Sequence, residues 1–109
     1  MIHLVLVGAS GRMGRAIAQA AGALDGVELA ACVDPQPLPG ANGAWFRSLA
    51  EALQPGATVV EFSSPAGAAE AAALCAERGT PLVSGSTGLS SEQEAGMCAA
   101  AARVAVLRA

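Results

Sequence analysis

The sequence predicts a doubly wound α/β domain built on a parallel sheet, and three observations carry that prediction. Short apolar runs suited to buried strands alternate with Ala-rich helical stretches along the whole chain. Most of the strand-like runs break off into glycine, serine or aspartate. Glycines 8, 11 and 14 stand where the first strand turns into the first helix. Such alternation calls for right-handed crossovers that place helices against the sheet faces.

Residues 2–7 are short and almost wholly apolar, as expected of a central strand covered on both faces. Residues 12–24 form the first helix, stopped at Asp25-Gly26, and residues 27–33 the second strand, with Asp34 just past its end. Residues 34–43 are a Pro/Gly loop without helical content, and 44–46 a short edge strand. Ser48 caps a short helix over 49–53, with Glu51 placed to complete a capping box. Residues 58–62 form a strand, Ser63-Ser64-Pro65 a helix start, and 66–78 a helix ended by Gly79. Residues 81–84 are a strand leading into Gly85-Ser86-Thr87-Gly88. A helix opening at Ser90 and running to about Ala102 precedes a last strand over 104–107.

Composition narrows the function. The 109 residues suffice for one domain, and 53% hydrophobic content with 14% charge excludes a disordered chain. The net charge of −3 leaves no basic stripe for nucleic acid. The three cysteines show no C-x-x-C spacing and read as buried or partly buried thiols. The first apolar run lacks a basic leader and is cut by glycine well short of a membrane span, so a cytoplasmic protein without membrane partners is expected. No metal cluster, nucleophile with its base, or carboxylate pair is visible, so no catalytic residue and no metal ligand is assigned.

In a doubly wound sheet, ligands sit beyond the carboxyl ends of the strands where the winding reverses. The loops at that edge hold Gly8 to Met13, Asp34, Ser63-Ser64 and Gly85-Ser86-Thr87. The turn reads G-x-x-G-x-x-G, one residue longer than the commoner dinucleotide fingerprint. Gly8 permits a backbone angle closed to other residues, Gly11 lets the main chain approach a bulky anion, and Gly14 lets helix and strand pack closely. The helix start then offers free N–H groups and a positive dipole end to a pyrophosphate. Asp34, twenty positions after Gly14, suits an adenosine ribose; the other reading is a solvated loop acid. Pro35 stands where a cation for a 2′-phosphate would follow, which favours NADH over NADPH, although Arg12 or Arg47 could supply that charge. His3 reads as a strand-start residue packed on a neighbour. Trp45 and Phe46 cap the sheet edge or stack on adenine, Met13 and Met97 are packing residues, and Glu61 and Glu70 show no evident partner.

Three segments, Gly8-Ala9-Ser10-Gly11-Arg12-Met13-Gly14, Glu61-Phe62-Ser63-Ser64-Pro65 and Val83-Ser84-Gly85-Ser86-Thr87-Gly88-Leu89, resemble dihydrodipicolinate reductase in order and spacing. That family, also called hydroxy-tetrahydrodipicolinate reductase, works in bacterial lysine and diaminopimelate synthesis. The resemblance implies a Rossmann-like NAD(P)-binding domain over residues 1–109. It implies that Gly8, Ala9, Ser10, Gly11, Arg12 and Met13 hold the pyrophosphate and that Asp34 binds the adenosine ribose. Phe62 and Ser63 then lie beside the nicotinamide, and Gly85, Ser86 and Thr87 along the nicotinamide and substrate cleft. The family usually has Asp where Glu61 stands and Thr where Ser86 stands, and the loop from Pro35 to Ala44 is short. Family members continue beyond the position of Ala109 with a segment lining the cofactor and a domain that binds and protonates substrate and builds a tetramer. The resemblance therefore implies a cofactor-binding part of an oxidoreductase that binds without turnover, as a monomer or weak oligomer. The alternatives are a non-catalytic NAD(H)-binding module, or the cofactor domain of an aspartate- or homoserine-type dehydrogenase.

Overall fold

The computed structural model describes residues 1–36 and 43–109; most of the Pro/Gly loop lies outside the described residues. In chain order the elements are β1 (Ile2–Val7), α1 (Arg12–Ala23), β2 (Val27–Val33), β3 (Ala44–Phe46) and α2 (Leu49–Ala52). They continue with β4 (Ala57–Glu61), α3 (Pro65–Arg78), β5 (Leu82–Ser84), α4 (Ser91–Ala101) and β6 (Val106–Arg108). Every expected strand and helix is present. The largest shift is β6, which starts two residues late because the N–H groups of Arg103 and Val104 both donate to the Ala100 carbonyl and prolong the exit of α4.

The six strands are parallel in the order β3-β2-β1-β4-β5-β6. The chain winds outward from β1 to β3, then crosses back to β4 and winds the other way. Register lines up the strand ends: Val33 pairs with Phe46 and with Val7, Val7 with Glu61, Glu61 with Ser84, and Ser84 with Arg108. The loops that follow therefore start in one row. Backbone bonds continue that row past the strands, from Gly8 N–H to Val33, Phe62 N–H to Val7 and Gly85 N–H to Glu61, at 2.8–3.0 Å.

The two faces are unequal. The larger core cluster joins Val5, Val7, Val33, Val59 and Leu82 to α2, α3 and α4 through Leu49, Ala68, Ala72, Cys75 and Met97. On the other face Leu6, Ala9, Leu29 and Cys32 pack beneath Ile17 and Ala18 of α1. Alanine faces let the helices of α3 and α4 lie close, so apolar area is buried with few large side chains. Helix α1 covers only part of its face, and Thr58, Val60 and Val83 are half-buried there while Leu107 is exposed. Strand β1 is accordingly covered on both faces only over Val5–Val7; Ile2 and His3 at its open end are exposed. His3 pairs there with exposed Glu28, Nδ1 to Oε1 3.2 Å, far from the loop row. Cys32 and Cys75 are buried, but Cys98 is exposed, contrary to the sequence expectation, because it lies on the outer side of α4. Among the described residues no helix is long and apolar enough to cross a membrane.

Candidate functional site at the carboxyl edge of the sheet

The winding reverses between β1 and β4, and the loops after them frame a cleft. Gly8, Ser10, Gly11, Asp34, Phe62 and Ser63 line it, with Pro35, Gln36 and Ser64 at the rim, around a volume of about 410 Å³. A second hollow of about 320 Å³ opens beside it, where Asp34, Pro35, Arg47, Ser48, Ser64 and Glu70 meet. Topology alone brings these residues together from four separate segments.

Gly8 and Gly14 of the glycine turn carry the tasks the sequence implies for them. Gly8 has φ +86°, and a Cβ on it would collide with the Phe62 carbonyl. Gly14 is buried in the first turn of α1, where a Cβ would strike the Gly8 carbonyl and crowd the backbone of Ala9. Gly11 is different: its φ is −73° and a Cβ would meet only the Gly8 oxygen, at 3.6 Å. Neither the fold nor the local backbone demands glycine at position 11. Ala9 buries its methyl group in the α1 core and offers only main chain to the turn. Arg12 and Met13 are exposed at the head of the helix.

The helix starts show a clear contrast. Ser48, Ser64 and Ser90 each accept a backbone N–H at the start of α2, α3 and α4, and Ser90 forms a full capping box with Gln93. Helix α1 starts at Gly11 with no side-chain cap and no acid in its first turn. Its first amides lack intrahelical acceptors, and they stand beside the cleft with the positive end of the helix dipole.

Asp34 is 96% buried by area, at 4% exposure, and is held from three sides. Its Oδ2 accepts from the N–H of Ser10, its Oδ1 from the N–H of Gln36, and its carbonyl from Trp45 Nε1, each at 3.0 Å. Burial pushes the carboxyl up, but the Ser10 side chain and the two backbone donors outweigh it, so its pKa lies below the ordinary carboxylate range. Trp45 thus ties β3 to the residue just past the end of β2, and Arg47 lies over its ring at 5.8 Å.

The principal correction concerns Glu61, for which sequence reasoning found no partner. It is fully buried at the end of β4 and bonded on both oxygens. Oε1 accepts from Ser84 Oγ at 2.7 Å; Oε2 accepts from the N–H and Oγ of Ser63, both at 2.7 Å, and from Ser86 Oγ. A buried carboxylate requires such donors, since an uncompensated one would cost several kcal/mol. Glutamate amid an apolar strand, with serines two residues on and after the neighbouring strand, was the signal available. Phe62 turns its ring onto Gly85, where any Cβ would clash with it. Gly85 and Ser86 are half-buried beside this cluster, and Thr87 is exposed.

Comparison with known proteins gives this arrangement a family. Residues 2–109 match the family model described as dihydrodipicolinate reductase, N-terminus. A 4-hydroxy-tetrahydrodipicolinate reductase from Stenotrophomonas maltophilia is 40% identical over 94% of this chain and 45% of its own length. One from Anaeromyxobacter sp. is 36% identical over 98% of this chain and 44% of its own length. The chain thus spans a little under half the length of these relatives. Among solved structures, the dipicolinate-bound dihydrodipicolinate reductase from Paenisporosarcina sp. TG-14 superposes with TM-score 0.79 at 21% identity, covering 93% of this chain and 43% of that one. The WlbA dehydrogenase from Chromobacterium violaceum, solved with NADH and UDP-GlcNAcA, gives 0.83 at 20% identity, covering 99% and 34%. At those identities the structures speak for the Rossmann-like fold, while the family match and the closer relatives speak for ancestry. The chain belongs to the dihydrodipicolinate reductase family and corresponds to its amino-terminal α/β domain.

Proposed function

We propose that this chain is the nicotinamide-dinucleotide-binding part of an enzyme that reduces 4-hydroxy-tetrahydrodipicolinate to tetrahydrodipicolinate, in lysine and diaminopimelate synthesis. The observation that carries the proposal is the uncapped start of α1 above an open cleft, whereas the other three helices among the described residues are all capped by serine. Those free amides fit a pyrophosphate, and Gly11 leaves the approach clear. The bound cofactor would supply the hydride. The chain's own residues bind and orient: the main chain from Gly8 to Met13 holds the diphosphate, and Asp34 takes the adenosine ribose. An ionised carboxylate has about four acceptor positions, and the Ser10 side chain and the N–H groups of Ser10 and Gln36 occupy three, so one position is left to receive a ribose hydroxyl. Phe62 and Ser63, with Gly85, Ser86 and Thr87, border the nicotinamide end. In this reading the residues described here bind and orient the cofactor, and none of them is assigned as the proton donor of the reduction.

Pro35 places no cation directly after the ribose acid, which favours NADH. Arg47, which lines the second hollow with Asp34, or Arg12 could instead supply charge for a 2′-phosphate. Calorimetric titration with NADH and with NADPH, beside Asp34→Ala, tests the proposal. Micromolar binding is expected, weakened about tenfold or more in the variant, since hydrogen bonds to a charged group are worth about 1.5–3 kcal/mol. A folded chain that binds neither cofactor would refute it.

A further inference from the structure

Glu61 is buried beside the nicotinamide end of the cleft, yet it takes no part in the binding roles given above. Its hydrogen bonds reach three places: Ser63 in the loop after β4, Ser84 at the end of β5, and Ser86 in the loop after β5. The N–H of Ser63 also reaches Ser86 Oγ at 3.1 Å, which closes a ring across the two loops. Gly85 N–H meets the Glu61 carbonyl at 2.8 Å, and the Phe62 ring rests on Gly85 from the other side. Glu61 itself bonds to neither the glycine turn nor Asp34; the β4 loop meets that turn only where the Phe62 carbonyl and Ser63 back onto Gly8.

We propose that Glu61 is a positioning residue: its carboxylate ties the β4 and β5 loops into one rigid wall and so fixes the nicotinamide end of the cofactor, independently of the diphosphate and adenosine end. The inference rests on the cofactor reading. Its geometric basis is the convergence of four donors on one carboxylate. A backbone N–H cannot turn to become an acceptor, so one oxygen must face Ser63 in any arrangement that keeps the wall. Glu61→Gln can keep an oxygen there, but its three bonds on that side lose charge assistance, and the amide NH₂ replaces the oxygen facing Ser84.

The test compares NADH with ADP-ribose, which carries the adenosine and both phosphates but no nicotinamide. In this chain, Glu61→Gln should weaken NADH about tenfold, because loops no longer held in place must be ordered when the nicotinamide binds. ADP-ribose should stay within about twofold, since its predicted contacts do not involve the cluster. Ser84→Ala removes the donor on the other oxygen without altering any proposed cofactor contact, and it should shift the same ratio in the same direction. It decides the matter should Glu61→Gln fail to fold. A parallel loss of both ligands would mean that Glu61 only holds the fold, and an unchanged ratio would mean that the wall does not need it; either overturns the inference alone. An unsubstituted chain that binds neither ligand would overturn the cofactor reading and this inference with it.

Discussion

Gly11 and Gly14 are three residues apart in one motif, yet the structure gives them opposite roles, and alanine at each should separate folding from binding. At Gly11 the backbone already sits at φ −73° and ψ 171°, which alanine adopts freely, and its methyl group meets nothing closer than an oxygen at 3.6 Å. Less entropy in the unfolded chain favours Gly11→Ala by about 0.4–1 kcal/mol. The poorer helix cap opposes it by a similar few tenths to about 1 kcal/mol. These nearly cancel, so the melting temperature should move by no more than about 4 °C. At Gly14 the methyl group would press on the Gly8 carbonyl and stand 2.8 Å from Ala9 Cα, and backbone cannot swing aside. Overpacking of up to about 3 kcal/mol, less about 1 kcal/mol of helix propensity, leaves a net loss near 2 kcal/mol. That lowers the melting temperature by about 8–16 °C. Binding should follow another order. The Gly11→Ala methyl group stands in the cleft where a diphosphate would approach, so NADH affinity should drop about tenfold or more in a chain of unchanged stability. Thermal melts followed by circular dichroism, with titration of the folded variants, read both quantities. If Gly11→Ala binds NADH within twofold of the parent, the diphosphate does not lie over Gly11 and the reasoning fails.

The perturbed groups make two further predictions. The Asp34 pKa is lower in the folded chain than in the unfolded one, so its contribution to stability is complete above about pH 4, the unfolded value, and is lost as pH falls through the folded value. Asp34→Asn should therefore flatten part of the acid limb of a stability-against-pH curve while leaving the neutral region parallel; an unaltered limb would show that the Ser10 and Gln36 bonds do not form in solution. Among the thiols, Cys75 is pushed up to about 11 by burial, and Cys32 is raised by burial and by the nearby Asp34 charge. Exposed Cys98 should thus be the single thiol that reacts quickly with a disulfide reagent in the native chain, with the other two reacting only on unfolding; three fast thiols would contradict the packing of α3 and β2.

The parts of this domain that could be read from the sequence are those set by local rules. Strand and helix alternate with different periods, glycine announces the turns at Gly8, Gly26 and Gly79, and serine announces three helix starts. The parallel order then follows from crossover handedness, and the site follows from the order. What escaped was decided across the sheet. Covering of the α1 face depends on how far one helix reaches, so the half-exposed Val60 and Val83 look like ordinary core residues in sequence. Cys98 sits in an Ala-rich helix whose sides are so alike in hydropathy that no period distinguishes its outer face. Trp45 lies eleven residues beyond the carbonyl it holds, and only the β2–β3 register brings them together.

Glu61 shows the same limit most sharply, and it also turns two separate oddities into one. The resemblance leads one to expect Asp at position 61 and Thr at position 86, where this chain has Glu and Ser. In sequence these are unrelated conservative changes 25 residues apart. In the structure the two side chains bond directly, across the loops that follow β4 and β5. Removing the carboxylate at 61 strands the three serines that bond to it, and a buried polar group left unsatisfied costs about 1–3 kcal/mol. The two positions therefore act together in this chain: a substitution at either one is felt in the loops after both β4 and β5.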